Sequence, residues 1–554
     1  MVGVPGRSGG CATCRRRKRG CDKKTPFCGQ CVQAGLVCEG YDRKPLVWIN
    51  STDGQSRLYN KTSSPPRTSG ASTPSITLHD SLARSTREDR YVGLFLAAFL
   101  PNGRLFSRDA SQISSAGWLR YHDGLCRAEK TLRFITLAHS LSMLATRDND
   151  SHMKVKGFQA HRMALQEMRT ALQDPQRATG DGILAAVRLL RFYEILYGAE
   201  SEIPNQTNPT PQIEGYYAHT DGEMALFMNR GCHREWSDAG RYLLASGRIV
   251  SFILGVCRRK GSPFNEAEWL TTPWNGTNKS ALEELTDIMV QIPSFLEELD
   301  NIKATPVVQR SPETRDNLLE KMYDVEQELL IWKFSMREDL LIYDYTHSGN
   351  PLPKPQVDRD FAILHLSFFY WSCSIVLYTT IHLVTIEADR DNPHASSSSI
   401  PFSSEGCPKF LDERNPTLHA HRIVHALPLS YRPFAGGYAA LSSSFPLGMA
   451  LRYLVVAHHF PHECNSGGAQ MEFLLHTVSQ PFMGAYVAKF LDHLFKVDTS
   501  AQSLKEMTGW YGMELRARGW WFKQPVAEEA ESLSVSGVNQ ANDRGSGVTR
   551  EYMM

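Results

Sequence analysis

CATCRRRKRGCDKKTPFCGQCVQAGLVC, residues 11–38, carries six of the twelve cysteines of a 554-residue chain. They are Cys11, Cys14, Cys21, Cys28, Cys31 and Cys38, separated by two, six, six, two and six residues. The second triplet repeats the first at an offset of seventeen, which points to a pseudo-twofold site. Disulfides belong to oxidising compartments. The opening MVGVPGRSGG has no apolar run, so no secretory signal is expected. A tight cysteine cluster then reads as metal binding. Two thiolates of a C-x-x-C turn can share one ion, and zinc takes four ligands tetrahedrally with Zn–S near ~2.3 Å. One zinc would leave two cysteines idle. Two zincs need eight ligand positions, which six cysteines supply if two of them bridge. The repeat symmetry favours equivalent residues, such as Cys11 and Cys28, as the bridging pair. A site closed by sulfur leaves no position to activate water, so the metal is structural. With almost no apolar core, such a unit draws its folding free energy from the metal, on the order of 10–16 kcal/mol.

The two halves of the repeat differ in charge. RRRKRG lies between Cys14 and Cys21, and VQAGLV between Cys31 and Cys38. Arg15, Arg16, Arg17, Lys18, Arg19, Lys23 and Lys24 face a single acid, Asp22, which leaves +6 over residues 11–38. Six thiolates and two zincs subtract about two charges, and the patch stays positive. The first fifty residues hold ten Lys/Arg and three Asp/Glu, a net +7, in a chain of net +1. Basicity confined to one element attracts phosphate by counterion release. On a short helix Arg15, Lys18 and Arg19 would share one face at i, i+3 and i+4. A nuclear import signal also fits the run. It does not by itself require a rigid metal scaffold, whereas a helix entering a major groove at a fixed angle does.

This spacing resembles the fungal binuclear zinc cluster, C-x2-C-x6-C, a short loop, then C-x2-C-x6-C. The loop DKKTPF places Pro26 where that family usually has a proline. The resemblance implies two zinc ions and bridging by the first and fourth cysteines, here Cys11 and Cys28. The family's stretch after the second cysteine runs roughly R-x-R-K-x-K-C-D. By that match Lys18 reads a CGG half-site by donating to guanine acceptors, each good contact discriminating by about 1–3 kcal/mol. Arg17 assists, Arg15, Lys23 and Lys24 contact phosphate, and Arg16 and Arg19 complete the DNA-facing run. Gly20 replaces a usual basic residue, a phosphate contact that Arg19 partly restores. EGYDRKPLVW after the last cysteine is similar to one subset of the family.

Residues 1–10 read as a disordered N-terminus, and 39–88 as an arm and flexible linker rich in Ser, Thr, Pro and Gly. From 89 to 523 the periodicity is helical. Phe134, Leu137, Leu141 and Leu144 step by three, four and three, and Ile183, Val187 and Leu190 continue the pattern. Phe361 to Ile386 holds no Asp, Glu, Lys or Arg over 26 residues. That suffices to span a bilayer, but its histidines and hydroxyls and its mixed flanking charge favour a buried central helix. HTDGEMALFMNRG (219–231), EAEW (266–269) and FPLGMAL (445–451) resemble segments of the fungal-specific transcription factor domain. They mark core packing. In relatives that domain is a regulatory and protein-interaction region. The chain also resembles the acriflavine-sensitivity-control class and regulators of fungal secondary metabolism. Residues 524–554 are polar and read as a disordered tail.

His421 and His425, and the histidines and cysteine of HHFPHEC (458–464), read as ordinary residues rather than a metal site. Cys126, Cys232, Cys257, Cys373 and Cys407 read as buried free thiols. No catalytic constellation stands out, so no enzyme is expected. The fold class is therefore a small two-zinc cluster domain of two short helices (11–38), joined by a disordered linker to a large all-α regulatory domain (89–523). The expected function is a sequence-specific, RNA polymerase II type transcription regulator in the nucleus, controlling a metabolic or drug-response gene set. Expected partners are double-stranded DNA, transcriptional co-regulators and a small-molecule effector. No membrane is expected, and the chain is a monomer or a homodimer through the helical domain. The rival reading is a zinc-cluster interaction protein, or an effector-sensing co-regulator recruited by partners.

Overall fold

The computed structural model describes residues 10–24, 28–38, 80–198, 211–336, 338–344, 352–391, 413–459, 486–487 and 489–491. The chain divides into two compact units, Met1–Thr77 and Leu78–Met554. Among the described residues both are built from helices, with no strand.

Among its described residues the first unit contains two single-turn helices, α1 (Ala12–Arg16) and α2 (Gly29–Gln33). Its buried side chains are mostly the cysteines themselves, so sulfur stands where an apolar core would be.

In the second unit the principal helices begin with α3 (Asp80–Phe99), α4 (Lys130–Asp148), α5 (Ser151–Ala171) and α6 (Asp181–Tyr197). Next come α7 (Pro211–Arg230), α8 (Asp238–Arg258), α9 (Ala281–Met289), α10 (Ile292–Ala304) and α11 (Pro312–Met336). The series closes with α12 (Asp358–Asp391), α13 (Pro416–Ala426) and α14 (Ser444–His459). Helix α3 starts inside the 39–88 span expected to be linker. The Ser/Thr/Pro-rich composition ends near Pro74, and DSLARSTREDR beyond it is made largely of helix-compatible residues.

Helices α4 and α5 form a tight antiparallel hairpin. Asn149 closes α4 in the left-handed conformation (φ 49°), and Asp150 caps α5 by accepting the N–H groups of His152 and Met153. The helices touch at Gly157, where an added Cβ would lie 2.4 Å from Ser142 Oγ. Helix α6 then lays Ile183, Val187 and Leu190 into the core.

Helix α12 contains the charge-free 26-residue stretch. It and α8 are long and apolar enough to cross a membrane by composition, yet their most apolar windows are 100% and 72% buried inside the unit. The stretch is thus a central core helix, packed against α13 and α14. Four of its buried hydroxyls, on Ser367, Ser372, Ser374 and Thr380, each donate to the carbonyl four residues earlier, which meets the cost of burying them.

Buried arginines tie the helices together. Arg188 and Arg191 of α6 converge on Glu223 of α7, with Arg188 Nε at 2.9 Å and Arg191 Nη1 at 2.9 Å. Arg230 pairs with Asp181 and lies 4.0 Å over the Trp236 ring. Both acceptor and donor come from, or contact, the HTDGEMALFMNRG segment. Trp269 of EAEW packs edge-on against Phe264, and Leu447 and Ala450 of FPLGMAL are buried. All three segments are packing elements.

Candidate metal centre and nucleic-acid interface

The seventeen-residue repeat of the sequence becomes a repeat of hydrogen bonds. Cys11 and Cys28 are the N-caps of α1 and α2, and their sulfurs accept from the N–H of Cys14 and Cys31, at 3.3 Å in both halves. The N–H of Cys11 points to Cys21 Sγ (3.3 Å), and that of Cys28 to Cys38 Sγ (3.4 Å). Thr13 Oγ1 donates to the Val37 carbonyl at 2.9 Å and joins the halves.

The six sulfurs meet in two overlapping quartets, Cys11–Cys14–Cys21–Cys28 and Cys11–Cys28–Cys31–Cys38, each with all members within 4.8 Å of one another. The quartets share Cys11 and Cys28. Sulfur separations of 3.6 Å (Cys11–Cys28), 3.5 Å (Cys14–Cys28) and 3.7 Å (Cys11–Cys31) compare with about 3.8 Å for the edge of a tetrahedron with Zn–S near ~2.3 Å. They are far too long for disulfides. Burial pushes the thiols of Cys11, Cys14, Cys28 and Cys31 up. Such thiols release their protons to solvent readily only when a cation takes the proton's place, and a bound divalent ion inverts the effect of burial. The donor set fits a two-zinc cluster and leaves no open coordination position.

The basic run does not form the expected helical face. Helix α1 stops at Arg16, and Lys18 adopts the left-handed conformation (φ 52°). Arg15, Lys18 and Arg19 are therefore not in i, i+3, i+4 register. The chain closes α1 with the Arg19 N–H on the Cys14 carbonyl (3.1 Å), and the second half closes α2 in the same way, Leu36 on Cys31 (2.8 Å). The residue equivalent to Lys18 in that turn is Gly35, at φ 63°. Glycine adopts this conformation freely, whereas a lysine is held there against a cost of about 1 kcal/mol. Arg16, Arg17, Lys18, Arg19, Lys23 and Lys24 are exposed and Arg15 is half-buried. Lys23 is also left-handed (φ 57°), so the segment bends sharply twice. Gly20 is exposed with open space around it. Pro26 lies outside the described residues.

Residues 9–46 match the fungal Zn(2)-Cys(6) binuclear cluster domain, and residues 106–400, more than half of the chain, match the fungal specific transcription factor domain. This chain belongs to the fungal Zn(2)-Cys(6) transcription factors. As a member it has a cluster that holds two zinc ions. Over 52 residues it is 38% identical to the Pestheic acid cluster transcriptional regulator 3 of Pestalotiopsis fici, a match covering 9% of this chain and 9% of that protein. No solved structure matches the chain.

The other histidines and thiols singled out in this Zn(2)-Cys(6) chain do not assemble as one site. His421 is buried on α13, whereas His425 is exposed on the same helix. Cys373 is fully buried and its thiol is pushed up by that burial. Cys126 contacts His122 and Thr136. Cys232 is buried, beside the exposed Glu268 and His233. Cys407, His462 and Cys464 lie outside the described residues, as do the side chains of His458 and His459. Sequence reasoning missed Thr13 and Asp22, whose bonds across the repeat have no spacing signature.

Proposed function

We propose that this chain is a DNA-binding transcription regulator that reads CGG-type half-sites in duplex DNA through the basic half of its cluster. Cys11, Cys14, Cys21, Cys28, Cys31 and Cys38 bind the two zincs, with Cys11 and Cys28 bridging. Lys18 makes the base contact with Arg17 beside it, and Arg15, Arg16, Arg19, Lys23 and Lys24 contact phosphates. The observation that carries the reading is the Lys18–Gly35 pair. Two turns of the same conformation differ in that the half rich in cations places a lysine where the uncharged half uses glycine. A strained position kept for a side chain is evidence that the side chain has work to do there. The zincs fold the unit and give that turn a fixed shape.

The domain plan that follows is a cluster at 11–38, an arm and linker, a regulatory domain ending near 523 and a tail at 524–554. Nuclear action on genes of metabolism or drug response fits the family. A pestheic acid cluster regulator among the relatives favours secondary metabolism. Effector sensing draws no support from the apolar cavity beneath Phe95, Phe99, Met143, Leu196 and Tyr197. At about 20 Å³ it has room for one water. A second reading, a cluster that docks a protein, is favoured by the exposure of Val32 (65%), Leu36 (40%) and Val37 (50%) on the uncharged half.

Genome-wide occupancy of the full chain beside Lys18→Ala separates the two. Peaks that share a CGG element and vanish in the variant support direct readout. Unchanged peaks assign targeting to the uncharged face or to the helical domain.

A further inference from the structure

Helices α5, α6 and α7 bring His161, Glu194 and His219 together, residues far apart in sequence and unrelated to the cysteine cluster. His161 Nε2 lies 3.8 Å, and His219 Nε2 3.7 Å, from the same oxygen, Glu194 Oε1. Their ligand atoms all fall within 4.8 Å of one another. These separations are too long for hydrogen bonds, which need about 2.7–3.2 Å. His161 Nε2 is buried and has no hydrogen-bond partner, an unusual state for a polar atom on a half-buried side chain.

The surroundings hold the three groups in place. The His161 ring stacks flat on Tyr193, with centroids 4.2 Å apart and planes at 10°. Tyr193 is itself fixed by Ser142, hydroxyl to hydroxyl at 2.9 Å. The Glu194 carboxylate lies in a gap left by two glycines. A Cβ at Gly198 would come within 2.5 Å of Oε2, and one at Gly215 within 2.9 Å of Cδ. The side chains are 12–17% exposed, so an ion can reach them from solvent.

We propose that His161, Glu194 and His219 form a second metal site, which binds a divalent first-row ion such as zinc inside the helical regulatory domain. Two imidazoles and a carboxylate are a common donor set for such ions. With metal–nitrogen and metal–oxygen bonds near ~2.0–2.2 Å, tetrahedral ligand atoms sit about 3.3 Å apart. The present 3.7–3.8 Å closes to that by small side-chain rotations. The ion supplies the partner His161 Nε2 lacks and clamps three helices, leaving a fourth position for water. The stability of the helical domain then depends on metal supply, independently of how the cluster reads DNA.

The test is the zinc content of the full chain, purified with zinc and desalted, together with zinc and cobalt titration of the two-zinc protein. Wild type is expected to hold three zincs per chain, and His161→Gln and His219→Gln two each, with unchanged helical circular dichroism. Cobalt taken up by the third site shows d–d absorption without the sulfur charge-transfer bands of the cluster. Thermal unfolding of wild type shifts up by a few degrees on zinc addition. A wild-type chain that stays at two ions and shows no thermal shift with excess zinc, cobalt or nickel overturns the proposal, even if the variants fold poorly. So does a third ion that survives in the His161→Gln/His219→Gln double variant.

Discussion

Both carboxylate oxygens of Asp22 accept the backbone N–H of Gly29, at 2.9 Å each. Asp22 follows the last cysteine of the basic half, and Gly29 opens α2 in the other half. The bond ties one triplet to the other from outside the sulfur cage. A Cβ at Gly29 would lie 2.5 Å from Asp22 Oδ2, so glycine is needed for the carboxylate to close. Asp22→Ala and Gly29→Ala are each expected to speed zinc release to a colorimetric chelator about fivefold, from the loss of roughly 1 kcal/mol for an exposed charge-assisted bond. An unchanged release rate would show that the metals alone hold the halves.

Zinc removal should unfold the cluster and leave the helical unit folded. The cluster's buried side chains are mainly cysteines, whereas the helical unit has a continuous apolar core. Chelation, or Cys14→Ala, is expected to abolish DNA binding and unfold residues 11–38. Far-ultraviolet circular dichroism of the full chain should keep nearly all its helical signal. Its collapse under chelation would mean that the helical core cannot fold without metal.

Salt dependence separates phosphate contacts from base readout. Lys23→Ala and Lys24→Ala should each lower the slope of log affinity against log salt by about one, with equal losses on specific and random duplexes. Lys18→Ala should instead narrow the gap between a CGG duplex and its mismatch by about 1–3 kcal/mol. Equal behaviour of the three variants in fluorescence anisotropy would remove the distinction.

Glu223 is fully buried between two arginines, Arg188 at 1% and Arg191 at 6% side-chain exposure. Glu223→Ala leaves both cations without a counter-charge in the core, at a cost of about 3–5 kcal/mol. The midpoint of thermal unfolding should fall by several degrees. Arg191→Met should cost less, because Arg188 still pairs with the carboxylate. The reverse order would point to lost packing rather than charge.

Stability should decline in mild acid. Burial lowers His139, His365 and His419 to about 4, against about 6.5 for an unfolded histidine. The unfolded chain therefore takes up these protons first. The stability tied to neutral histidines is intact above about pH 6.5 and is lost as the pH falls towards 4, on the order of 1–3 kcal/mol each. Burial would raise Glu413, but hydrogen bonds from Arg422 and Lys333 bring it to about 2, so it keeps its charge across this window. His365 is the sharpest probe, since neither ring nitrogen meets a protein partner. His365→Leu should flatten the melting-temperature profile between pH 7 and 5, as followed by scanning calorimetry. A profile parallel to wild type would remove His365 from the account.

Much of the first unit was legible in the chain. Cysteine spacing is local, and zinc geometry admits few ways to satisfy it, so six positions determined the cage and the repeat suggested its shared pair. Helical periodicity likewise determined the class of the second unit, because apolar spacing reflects a short-range rule. The conformation of Lys18 escaped, since five cations in a row satisfy a helix pattern equally well. The closing bond from Arg19 to Cys14 depends on where the cage forces α1 to end. The triad of His161, Glu194 and His219 was also beyond reach, because its members lie on three helices and meet only through the packing of α5, α6 and α7. Local chemistry with strict geometry is written in the sequence, whereas proximity between distant helices is set by the packing of the whole core.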